Sequence, residues 1–167
     1  MDTLKLTITI LLTLPSIAQA FCFSQQEGIY GINSKLLQSI AETESNFNTK
    51  VIHKNHDGSF DIGLMQINSS WIRPLGLDRQ RLISDPCYNV SAGARILNTC
   101  VKKHGYTWEA VGCYNAVSKG KRTKYSWKVY NQLKKYAKLQ KTGYKKIAAN
   151  PERTTSSLSF SVKDSND

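Results

Sequence analysis

Beyond its first twenty residues the sequence has no apolar run approaching the length of a spanning helix, so no stable membrane span is expected in its body. It has only three histidines, and its four cysteines include no CxxC pair. His53 and His56 flank Asn55 just ahead of Asp57, but that spacing suits no common zinc arrangement, and no metal is expected. Nothing resembles a phosphate loop, a dinucleotide fingerprint or a Ser/His/Asp triad, and no cofactor is expected. No internal repeat is visible. Acidic residues are missing altogether between Ser118 and Asn150, where eleven Lys or Arg accumulate.

What is present begins with an export signal. Lys5 precedes an apolar or threonine run from Leu6 to Leu14, Pro15 and Ser16 break it, and AQA closes it at Ala20. Nine residues at about 1.5 Å each cannot cross a hydrocarbon core about 30 Å thick, so residues 1–20 read as a cleaved signal peptide rather than an anchor. The 147 residues that follow suffice for one domain with a real core. Export makes disulfides possible, and Cys22, Cys87, Cys100 and Cys113 allow three pairings into two bridges. The net charge of +11 is carried by the basic block, which is either a solvated helix face or a surface for an anionic partner. Tyr125, Trp127, Tyr130, Tyr136 and Tyr144 lie among its lysines, so stacking on single-stranded nucleic acid is chemically conceivable. Export argues against nucleic acid and favours the anionic cell wall or an assembly component, so a non-catalytic wall-binding or assembly module, with the basic helix as its working surface, stands as the alternative to an enzyme.

Helical patterns dominate. Ser24 and Glu27 have capping-box spacing ahead of a short helix that fades over Gly28 to Gly31. A second helix starts at Asn33 or Ser34, and Leu37, Ile40, Glu44 and Phe47 recur on it at core-facing spacing. Glu44 therefore sits on the apolar face, whereas Glu42, about 200° away, is expected to point to water. The stretch VIHKNHDGSFDIG, with its Asp57-Gly58 turn, reads as a β-hairpin that places Asp61 just before Gly63. Asp85-Pro86 opens a helix with Val90, Ala94, Leu97 and Val101 buried and Gly105 ending it. Thr107 caps the next helix, and a basic one spans about 124–140 with Val129, Leu133 and Tyr136 inward. These elements make an α+β domain over 21–142, a helical body with a small β lobe, followed by a disordered tail over 143–167.

A carboxyl on an apolar helix face is costly to ionise, so its pKa should rise; an apolar pocket can hold a glutamic acid near about 6, where it can serve as a general acid. The alternative is a buried glutamate paired with a lysine or capping a backbone amide. Two stretches bear on the choice. ESNFNT at 44–49 and DGSFDIGLMQINSSW at 57–71 resemble the c-type lysozymes, whose catalytic glutamate and aspartate are spaced as Glu44 and Asp61 are, with sixteen residues between. LLQSIAETESNFN, DIGLMQIN, DPCYNVSAGARIL and TWEAVGCYNA, in that order, resemble the small bacterial lytic transglycosylases that serve secretion and conjugation machines.

The resemblance implies a lysozyme-like fold and a periplasmic, monomeric enzyme acting on peptidoglycan glycan strands beside a secretion or conjugation apparatus. It implies that Glu44 performs both proton transfers, that Ser45, Gln66 and Asn68 help position the glutamate or the substrate, and that Tyr114 and Asn115 form the YN motif beside the catalytic carboxyl. It also implies the pairing of Cys22 with Cys87 and of Cys100 with Cys113. Asp61 would stabilise an oxocarbenium-like transition state, act as a lysozyme-like partner in hydrolysis, or brace its hairpin. The family commonly reads YNAG where this chain has YNAV, so Val117 bears on how a glycan approaches that loop.

Overall fold

The computed structural model describes residues 21–148. Its first helix, α1 (Phe23–Tyr30), ends at Gly31, whose left-handed φ of 65° lets its N–H donate to the Glu27 carbonyl at 2.8 Å. The capping box expected of Ser24 and Glu27 does not form. Phe23 is already helical, and the residue before it, Cys22, is tied to the protein interior by a disulfide and offers no side-chain cap. Glu27 Oε1 instead accepts from Asn33 Nδ2 at 3.4 Å.

Helix α2 (Ser34–Ser45) is capped by Asn33, whose Oδ1 accepts from the Lys35 N–H at 2.9 Å. Leu37 and Ile40 of the expected stripe are buried along it, and so are Leu36 and Ala41 beside them. The helix stops two residues short of Phe47. Asn46 and Phe47 both adopt left-handed φ values, 51° and 62°, and Phe47 closes an aromatic cluster with Phe21 and Phe23 at centroid distances of 6.4 and 6.5 Å.

The β lobe has three strands rather than two. Strands β1 (Ile52–Lys54), β2 (Phe60–Ile62) and β3 (Ile67–Asn68) form an antiparallel sheet in that order, with Asp61 opposite His53 on one side and Asn68 on the other. A two-residue strand leaves almost no alternation in the sequence, which is why β3 is not legible there. A 3-10 turn (Ser69–Trp71) leads to the short helices α3 (Ile72–Leu75) and α4 (Arg79–Ser84).

Helix α5 (Pro86–His104) is the spine. Asp85 caps it through the Tyr88 N–H at 3.0 Å, Pro86 occupies the first turn, and Val90, Ala94 and Leu97 are fully buried, with Val101 packed against the same core. Gly105 terminates it, and Thr107 caps α6 (Trp108–Asn115). Both disulfides take the expected pairing: Cys22–Cys87 joins the start of α1 to α5, and Cys100–Cys113 joins α5 to α6, with Cα separations of 5.3 and 5.8 Å.

The basic helix, α7 (Lys119–Ala148), is longer than its expected span of about 124–140 and packs against α2 and α6. Two expectations change as a result. The chain is helical five residues beyond Gly143, inside the stretch read as tail, while residues 149–167 and the signal segment 1–20 lie outside the described residues. Glu42 is not directed to open water, because α7 crosses its face: the Tyr136 hydroxyl hydrogen-bonds it, and Lys135 Nζ lies 3.9 Å from its Oε1.

Candidate active site

Glu44 occupies the last turn of α2, with the β lobe on one side and α7 on the other. The Tyr125 hydroxyl, buried on the inner face of α7, donates to Glu44 Oε1 at 2.5 Å. Burial pushes the Glu44 pKa from its ordinary 4.5 up to about 7. The Tyr125 hydrogen bond pulls the other way by favouring the charged form, the Asp61 carboxylate adds a smaller push upward, and Lys128 a smaller pull downward. Near neutrality this carboxyl is thus close to half protonated, able both to give and to accept a proton.

Asp61 approaches from β2. Its Oδ1 accepts from Asn68 Nδ2 at 2.8 Å and its Oδ2 from Asn55 Nδ2 at 2.9 Å. Both amides also reach Ser59 Oγ, at 3.1 and 3.0 Å, so the lobe holds the carboxylate from both sides. This arrangement braces the hairpin and also fixes a negative charge that Glu44 senses. The two readings of Asp61 are therefore compatible.

The remaining sequence-identified residues divide between site wall and framework. Ser45 Oγ donates to the Leu64 carbonyl at 2.7 Å, tying the end of α2 to the loop after β2. Gln66 takes a left-handed φ of 47°, a conformation unfavourable for a non-glycine residue, while its Nε2 donates to the Gly63 carbonyl at 2.8 Å and the Val51 carbonyl at 3.3 Å. Asn68, besides holding Asp61, caps the 3-10 turn through the Ser70 N–H at 2.9 Å. The Tyr114 hydroxyl donates to the Met65 carbonyl at 2.8 Å, and its ring stacks on Tyr125 at 6.4 Å. Burial, with smaller contributions from Glu44 and Asp61, raises the pKa of Tyr114 well above the usual phenol value, and burial followed by Glu44 does so for Tyr125. Asn115 is exposed at the last residue of α6, and Val117, just beyond it, is 91% exposed.

Two residues important to this geometry were not singled out as site residues by the sequence reading. Tyr125, rather than Tyr114, makes the direct bond to Glu44; stepping the Val129 stripe back by one helical turn would have placed it on the inner face. Asn89, fully buried, accepts from the Met65 N–H at 2.8 Å and donates to the carbonyls of Ile62 and Leu82 at 2.9 and 2.8 Å. It fastens the loop after β2 to α5. Gly63 is required beside it, since a Cβ there would lie 2.4 Å from Asn89 Nδ2 at a φ of 73°. Gly93 on α5 similarly leaves room for Met65 and the Tyr114 hydroxyl, 2.7 and 3.1 Å from where a Cβ would stand. Among the described residues no group of three or more His, Cys, Asp or Glu could hold a metal, and no helix is long and apolar enough to cross a membrane.

Residues 21–140 match the family described as Transglycosylase SLT domain. The chain belongs to that family. Relatives extend the match: the chain is 41% identical over 143 residues to Invasion protein IagB of Salmonella typhimurium, covering 80% of this chain and 89% of that one. It is 36% identical over 150 residues to Protein IpgF of Shigella flexneri, covering 86% and 99%. A Peptidoglycan-binding-like protein of Escherichia coli O157:H7 is 36% identical over 138 residues, covering 74% and 83%. As an SLT transglycosylase domain of lysozyme-like architecture, the chain is a glycan-cleaving enzyme of peptidoglycan. A wall substrate and two disulfides make it an extracytoplasmic protein.

Proposed function

We propose that the chain is a lytic transglycosylase that cleaves the bond between N-acetylmuramic acid and N-acetylglucosamine and leaves a 1,6-anhydro sugar. The observation that carries this reading is a single carboxyl, Glu44, poised near neutrality by burial against one tyrosine. Protonated, Glu44 gives its proton to the glycosidic oxygen as the bond to the muramic C1 breaks. The resulting carboxylate then takes the proton of the muramic C6 hydroxyl, whose oxygen bonds to C1. The proton count closes on one residue, and no water enters the product.

Asp61, whose two carboxyl oxygens are held by the amides of Asn55 and Asn68, supports stabilisation of positive charge as C1 becomes oxocarbenium-like. The same placement favours one second reading, a lysozyme-type hydrolase in which water replaces the C6 hydroxyl. Ser45, Gln66, Asn68, Tyr114 and Asn115 fit the roles of positioning the acid and lining the glycan groove. Residues 1–20 fit export to the periplasm, and the ordered motifs fit an enzyme that opens the wall for a secretion or conjugation apparatus. Mass analysis of fragments released from purified peptidoglycan tests the reaction. Anhydro products are expected from the native chain and none from Glu44→Gln; reducing ends one water heavier would establish the hydrolase instead.

A further inference from the structure

The basic helix has a second face that the catalytic reading leaves unused. Tyr125 and Val129 point inward, and about 140–200° round the helix from Tyr125 lie Trp127, Tyr130 and Lys134. Trp127 meets Tyr130 edge-to-face at 5.5 Å, and Trp108 of α6 meets the same ring at 5.3 Å. The three rings form one contiguous patch, yet Trp127 is 60% and Trp108 42% exposed. Lys134 Nζ lies 5.4 Å from the Tyr130 ring centroid, and the exposed Lys124 stands one turn before Trp127. Isolated exposed aromatics need no explanation, but two half-exposed tryptophans, one on α6 and one on the basic α7, sharing a tyrosine do.

We propose that this outer face of α7 is an accessory binding site for the peptidoglycan strand, separate from the groove at Glu44. Sugar rings stack by their apolar faces on Trp127 and Trp108, and carboxylates of the stem peptides meet Lys124 and Lys134. The site rests on the reading of the chain as a peptidoglycan-cleaving enzyme, which supplies an anionic glycan as the ligand. The composition of the face favours that ligand over a lipid surface. Thr123, Lys124, Trp127, Asn131 and Lys134 follow one another along it, with no Leu, Ile or Phe to enter an acyl layer. A tether on the far side of α7 keeps the enzyme on the wall while the catalytic groove releases one product and takes the next strand.

The test uses the full chain carrying Glu44→Gln, so that the wall is not digested, in cosedimentation with purified sacculi. Adding Trp127→Ala should weaken binding about tenfold, as for truncation of an aromatic anchor, and Trp127→Tyr should restore most of it. Melting curves of the variants check folding, which an exposed side chain should leave intact. In the otherwise native chain, Trp127→Ala should leave turnover of short soluble glycan fragments unchanged. Equal sacculus binding with and without Trp127 would overturn the proposal. So would a loss confined to anionic phospholipid vesicles or to an acidic protein, with sacculus binding intact. Failure of the native chain to release any fragment from sacculi would instead sink the enzymatic reading, and Trp127-dependent sacculus binding would survive it.

Discussion

At the scale of single residues, the proposed mechanism rests on opposing influences on one proton. Burial raises the Glu44 pKa, Asp61 raises it further, and the Tyr125 hydrogen bond lowers it. Tyr125→Phe should therefore move the descending limb of the pH–activity profile to higher pH. Asp61→Asn should move the limb of its residual activity to lower pH, because the like charge that discourages ionisation is gone. A shift of both variants in the same direction would contradict this account. Stability follows with a definite sign. A carboxyl whose folded pKa is raised from 4.5 to about 7 stabilises the fold below pH 4.5, and that contribution is lost as pH rises through 7. The shift corresponds to roughly 3 kcal/mol. Glu44→Gln should accordingly leave stability near pH 4 almost unchanged and raise the melting temperature at pH 8, even as it abolishes activity. Thermal unfolding at the two pH values checks this.

At the scale of elements, the geometry of the proposed site depends on how the β lobe is fastened to the helical body. Asn89 performs that task with three buried hydrogen bonds, and Asn89→Ala would orphan the Met65 N–H and two carbonyls at once. We expect a loss of about 3 kcal/mol or more, measured by chemical denaturation, with activity falling before global unfolding as Asp61 loses its register to Glu44. The helices around this contact were legible in the sequence because their periodicity and caps are local. Asn33, Asp85 and Thr107 each sit where a helix must begin, and each accepts the N–H that a cap should. The capping box at Ser24 failed because a disulfide at Cys22, a nonlocal constraint, fixes where α1 starts. Strand β3 was missed for its brevity, and Asn89 because a polar residue among helix positions carries no mark of the three partners it meets across the fold.

At the scale of the whole molecule, two crosslinks tie the helices together and one long helix closes over Glu44. Cys22–Cys87 closes a 65-residue separation and Cys100–Cys113 one of 13. On the chain-entropy relation their removal should cost about 4 and about 3 kcal/mol respectively. Replacing Cys100 and Cys113 together by Ala should lower the denaturation midpoint less than replacing the other pair, and the reverse order would show that local packing outweighs loop closure. The family resemblance put Glu44 and Asp61 forward as a pair, which periodicity could not do, and the fold brings them near enough for Asp61 to act on the Glu44 carboxyl, while their catalytic roles stand as proposed. Helix α7 was read as a basic helix with Val129, Leu133 and Tyr136 inward; Tyr125 shares that inner face one turn earlier, but its pairing with Glu44, 81 residues away, leaves no mark in a local periodicity. The domain thus brings α2, the β lobe and α7 together around one carboxyl group. Carbon-13 NMR titration of the Glu44 side-chain carboxyl in the intact protein tests that most directly: a midpoint near 7 is expected, and one near the ordinary 4.5 would contradict it.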